Sequence, residues 1–94
     1  MRIDWLIWDD WNVAHIAEHG VTPEEVDEIC LRGRPLVRHA GKTRYGLPRY
    51  HVYGQTEAGR YLFIVLDREV KGIFYVVTAR DMNCLLYTSP SPRD

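Results

Sequence analysis

The chain has 94 residues, of which 46% are hydrophobic and 27% charged, with a formal net charge of −1. That size implies one domain of ordinary globular composition, and no apolar run is long enough for a membrane-spanning helix. The N-terminus lacks the charged and apolar regions of a signal peptide, so a cytoplasmic protein is expected, and two cysteines without a CxxC partner rule out a disulfide framework.

Residues 3–8 are apolar apart from Asp4 and predict a short strand. Asp9 or Asp10 then offers a side-chain oxygen to cap a helix, Val13, Ile16 and Ala17 give it a buried face, and Gly20 ends it. Thr22-Pro23-Glu24-Glu25 predicts a second helix: Thr22 caps, Pro23 takes the first helical position and Glu25 completes a capping box. Val26, Ile29 and Cys30 form its inner stripe, and Gly33 and Pro35 close it.

Residues 36–39 predict a short strand, 40–43 a turn, and 44–53 an extended segment in which Pro48 argues for an edge or a bulge. Residues 56–59 turn the chain into two apolar runs, 60–66 and 73–80, joined by a charged turn. Leu62, Ile64 and Leu66 fill one face of the first run and Tyr61, Phe63 and Val65 the other. A strand apolar on both faces predicts a central hairpin covered on both sides. Arg60 and Arg80 mark its outer ends and are expected to be close neighbours. Helices gathered before a meander imply an α+β domain, with an N-terminal strand and two helices packed on a roughly four-stranded antiparallel sheet.

The near-neutral total conceals a split. Residues 1–31 hold eight acids and one base, whereas 32–60 hold seven bases and one acid. Such asymmetry points to a polyanion or a charged partner, or to two blocks that neutralise each other across one surface. Within the basic block, Arg38, Lys42, Arg44, Arg49 and Arg60 are interleaved with His39, Tyr45, Tyr50, His51 and Tyr53. Arginines hold phosphates, aromatic rings stack on unpaired bases, and histidine moves protons near neutral pH. These are the parts needed for metal-free RNA cleavage. They equally suit an RNA- or partner-binding face without catalysis, or a solvated edge strand.

Other chemistries have less support. His15 and His19 stand at i, i+4, a spacing that can chelate a metal, but no HExxH pattern or third ligand accompanies them. Cys30 falls on an apolar stripe and reads as an inert core thiol. No GxSxG, P-loop or GxGxxG is present.

Trp8-Asp9, then Asn12, then the stretch from Glu18 to Val26 (EHGVTPEEV) resembles the opening of BrnT-type toxins. Gly54, the run from Arg60 to Leu66, and Val76-Val77-Thr78-Ala79-Arg80 resemble that family's glycine, central strand and strand-end arginine motif, so the resemblance spans residues 3–82. It implies a RelE-like fold and a metal-independent endoribonuclease toxin of a type II toxin–antitoxin pair, with no cofactor. The implied partners are an RNA substrate and a small DNA-binding antitoxin, through which alone the toxin would meet DNA. Arg80, Arg60 and His19 match family positions and become the implied catalytic set. The strand histidines His39 and His51 are alternative proton carriers, and His19 has a competing structural role at its helix end. Arg44, Arg49, Lys42, Arg38 and Tyr50 form the expected RNA-binding set. Family members continue past the strand-end arginine into a basic C-terminal helix, which is missing here.

Residues 84–94 (CLLYTSPSPRD) instead resemble the forward translation of a transposase sequencing-library adapter. Residues 1–83 are therefore expected to be the toxin-like domain and 84–94 a non-native tail. Cys84 would then leave Cys30 as the genuine thiol.

Overall fold

The computed structural model describes residues 2–82 of the chain. The adapter-like tail, with Cys84, and the expected absence of a C-terminal helix lie outside the described residues. The elements run β1 (Trp5–Ile7), α1 (Asp10–Ala17), α2 (Pro23–Asp27), a π-helical turn (Glu28–Arg32), β2 (Leu36–Lys42), β3 (Pro48–Gln55), β4 (Tyr61–Val70) and β5 (Ile73–Asp81). The fold class is α+β, as expected.

Local chemistry fixes the helix ends. Asp9 caps α1 by accepting from the Asn12 backbone N–H at 2.8 Å, while the Asn12 side chain accepts from the Asp9 N–H at 2.8 Å. Thr22 and Glu25 make the same reciprocal box at α2, with Pro23 at the first helical position. Gly20, at φ 73, lets the chain leave α1 in the left-handed region, and the Val21 N–H reaches back to the Ile16 carbonyl at 3.1 Å.

The sheet has five strands in the order β1-β5-β4-β3-β2. This corrects the four-stranded antiparallel expectation. β1 joins the sheet's edge, pairing parallel with β5 (Leu6 opposite Phe74), while the remaining pairs are antiparallel. A parallel neighbour needs a long crossover, and here α1, α2 and strands β2–β4 supply it. β4 and β5 do form the central hairpin, but its strands run on to Val70 and from Ile73, so the turn is only Lys71-Gly72.

One face of the sheet carries the helices. Leu6, Val52, Leu62, Ile64, Leu66, Phe74, Val76 and Ala79 pack there against Ile16, Val21, Val26, Ile29 and Cys30. Each large aliphatic buried in this way contributes about 1.5–3 kcal/mol. The π-helical turn crosses β3 where Gly54 leaves room, since a Cβ there would collide with Cγ2 of Ile29.

The other face differs from expectation. The hairpin was predicted to be covered on both sides, but among the described residues no helix or strand lies over this second face. Phe63 is half-buried, Tyr61 is 48% exposed, and Val65 is buried.

A β-bulge decides which side chains reach that face. Leu66 pairs with Val76 but Val65 pairs with Thr78, so Val77 is an extra residue in β5. Before the bulge, Phe74 and Val76 face the helices. After it, Ala79 and Asp81 do (opposite Ile64 and Leu62), and Thr78 and Arg80 turn to the open face opposite Val65 and Phe63. Asn12, fully buried, secures the bulge: its side-chain amide donates to the Val76 carbonyl at 3.1 Å and to the Ile7 carbonyl at 2.9 Å.

Candidate functional site

The register lays out the open face in rows. Arg38, His51, Val65 and Thr78 form one row across β2, β3, β4 and β5; Leu36, Tyr53, Phe63 and Arg80 form the next. Phe63 is the hub. His51 meets its ring edge-on at 5.0 Å between centroids, Tyr53 is tilted against it at 5.3 Å, and the Arg80 guanidinium carbon lies 5.8 Å from its centre. Arg80 Nε is buried and has no hydrogen-bond partner among the described residues. A buried donor left unpaired on a cation costs about 1–3 kcal/mol or more, so this atom is primed for an acceptor.

Arg60 is elsewhere. It shares the parity of Leu62 and Ile64 and therefore points to the helix side. Its Nε donates to Asp81 at 3.0 Å, and its Nη1 donates to the Gly20 carbonyl at 2.8 Å and to both Glu25 oxygens at 3.0 and 3.1 Å. Burial pulls the Arg60 guanidinium down, but the hydrogen bonds to Asp81 and Glu25 outweigh it and hold its pKa above the ordinary value. The expectation that Arg60 and Arg80 sit together is thus corrected: their strands are adjacent, but their side chains leave opposite faces.

His19 also lies away from the open face. Its ring stands edge-on to His15 at 5.5 Å, and His15 stacks on Trp11 at 5.1 Å with an interplanar angle of 8°. The i, i+4 pair therefore forms as predicted, on the outside of α1. Among the described residues no three His, Cys, Asp or Glu side chains gather in a group that could hold a metal ion.

The basic block is divided. Arg38 lies on the open face beside His51. Lys42, Arg44 and Arg49 converge at one end of the sheet, around a hollow also lined by Asp67 and Glu69. There Arg49 grips Asp67 through two bonds of 2.7 and 2.9 Å, and the Asp67 carboxylate raises the Arg49 pKa. Tyr50 faces the helices, edge-on to Phe74 at 5.8 Å and to His39 at 5.3 Å, so neither ring belongs to the open face.

Two other groups are settled by burial. The Cys30 thiol is pushed up to about 12, chiefly by burial and then by Asp27, which keeps it a protonated core thiol. The Tyr75 hydroxyl donates to Asp9 at 3.0 Å, and burial together with that carboxylate raises its pKa.

Phe63 as the hub and Asn12 as the bulge anchor were missed as functional elements. The first was visible in part, since Phe63 and Val65 share a face of the central strand. The second needs the register, which no local pattern carries. Compared with protein-family models, curated proteins and solved structures, the chain matches none.

Proposed function

We propose that the chain is an endoribonuclease toxin of a type II toxin–antitoxin pair, cleaving single-stranded RNA without a metal and neutralised by a small DNA-binding antitoxin. The observation that carries this reading is the sheet face over which no described helix or strand lies, where a guanidinium with a buried Nε that has no partner among the described residues, an imidazole and a phenol converge on one aromatic ring. Exposed aromatic and basic side chains on a sheet are what unpaired bases and phosphates require. The ordered motifs that resemble those of BrnT-type toxins add the reaction and the antitoxin to this reading.

In this reading the ribose 2′-hydroxyl attacks the adjacent phosphorus, and Arg80 stabilises the charge that builds on the phosphate oxygens. Tyr53 and Phe63 offer stacking surfaces. Arg60 takes no part at the phosphate: its bonds to Asp81, Glu25 and the Gly20 carbonyl hold the helix side of the sheet together. Lys42 and Arg44 would extend the phosphate track toward the far end of the sheet.

A second reading is favoured by the ion pairs of Arg49 and Arg60, which occupy two of the expected RNA-binding or catalytic cations. It is a non-catalytic module that pairs with an antitoxin-like protein or with nucleic acid. Incubation of the purified chain with single-stranded RNA in excess chelator separates the two. Cleavage that yields 2′,3′-cyclic phosphate ends, lost in Arg80→Ala, supports the enzyme. Binding without cleavage supports the module, and neither binding nor cleavage overturns both.

A further inference from the structure

The described residues include four histidines, and the fold sorts them. His15 and His19 stand on the outside of α1, and His39 lies against Tyr50 on the helix side of the sheet. His51 alone among them occupies the open face, in contact with the same Phe63 ring that Arg80 overlies. We propose that His51 is the proton acceptor of this face and, once protonated, an added cation for bound RNA phosphate. This rests on the RNA reading above and replaces His19 in it.

The surroundings suit the role. Across β2, His51 is paired with Arg38; across β4 it is paired with Val65, with Phe63 and Asp67 two residues either way on the same face. Along β3 its same-face neighbours are Arg49 and Tyr53, and β5 contributes Thr78 and Arg80 to the adjoining positions. Of these, Asp67 is the acid, and Arg49 holds both its oxygens. The ring is only half-buried, so a ligand can reach it. Histidine is the side chain that changes charge between about pH 5 and 8. His51 stands next to Arg38 and across Phe63 from Arg80, so a proton taken up there adds to the cations already on this face.

The chemical step balances within this site. The neutral imidazole takes the 2′-hydroxyl proton as that oxygen bonds to phosphorus. The bond from phosphorus to the 5′ oxygen breaks, and the departing oxygen takes a proton from water. The hydroxide left behind removes the proton from the imidazolium, leaving a 2′,3′-cyclic phosphate, a 5′-hydroxyl and a neutral His51.

The test uses binding as well as cleavage. A fluorescent 2′-deoxy oligonucleotide, which cannot be cleaved this way, is titrated into the whole chain between about pH 5.5 and 8. The wild type is expected to bind several-fold more tightly at the acid end. His51→Gln and His51→Phe, the latter keeping a ring against Phe63, are expected to abolish that dependence and RNA cleavage, whereas His19→Gln and His39→Gln keep both. A pH dependence that survives in both His51 variants, with their thermal midpoints near wild type, overturns the proposal and leaves the RNA reading standing. Failure of the wild type to bind the oligonucleotide at any pH overturns that reading and this proposal together.

Discussion

Arg60 and Arg80 stand at the outer ends of one hairpin and point to opposite faces of its sheet. Arg60 is closed into a cluster with Glu25, Asp81 and the Gly20 carbonyl, whereas Arg80 lies over Phe63 on the face away from the helices. The two arginines therefore have separable consequences. Arg60→Ala is expected to cost about 1–3 kcal/mol, because it removes the charged hydrogen bonds to Glu25, Asp81 and the Gly20 carbonyl. Urea unfolding measures this, and RNA binding below the transition should be little changed.

Asn12 is the second position to test. Its amide ties the carbonyl beside the bulge to the carbonyl that ends β1, and its side-chain oxygen closes the α1 cap. Asn12→Ala is expected to cost about 1–3 kcal/mol for each carbonyl left unpaired. Asn12→Asp should be worse, since an ionised carboxylate cannot donate to either carbonyl. Thermal unfolding gives the order, and loss of RNA binding beyond the loss of folded protein would report that Arg80 has moved.

Gly54 tests the packing of the π-helical turn on β3. A methyl there meets Cγ2 of Ile29, so Gly54→Ala is expected to destabilise by about 1–3 kcal/mol through overpacking. Shortening the opposing side chain in a Gly54→Ala, Ile29→Ala double variant should cost less than the sum of the two single changes, a coupling that a double-mutant cycle measures.

Cys30 gives a pH prediction. Its thiol pKa is raised in the folded state to about 12, from an ordinary value of 9.0, so the protonated form is favoured by folding. The stabilisation is complete below the unfolded value and is lost as pH climbs from there toward about 12. Near neutral pH, Cys30 should resist alkylation in the native protein and react on unfolding. Peptide mapping distinguishes it from Cys84.

Much of the fold was legible because it is written locally. The caps at Asp9 and Thr22, the stop at Gly20 and the apolar run of β4 depend on residues close in sequence, and each appears where its chemistry requires. The parallel docking of β1 and the bulge at Val77 depend on which strands meet and in what register, which no local pattern contains. The hairpin register is why the candidate site was misjudged. It shifts between Arg68 and Val70 and again between Val65 and Leu66, and it sets Arg80 opposite Phe63 on one face and Asp81 opposite Leu62, within reach of Arg60, on the other. Likewise, Tyr50 lies in the aromatic-basic block by sequence yet faces the helices, because it alternates with His51 along β3.

The most direct measurement is the affinity of the whole chain for single-stranded RNA as a function of salt, compared among wild type, Arg80→Ala and Arg60→Ala. Loss of one phosphate contact should weaken binding and lower the salt slope by about 1 in Arg80→Ala, with Arg60→Ala close to wild type while folded. If instead Arg60→Ala loses the contact and Arg80→Ala keeps it, the open face is not where this protein meets RNA.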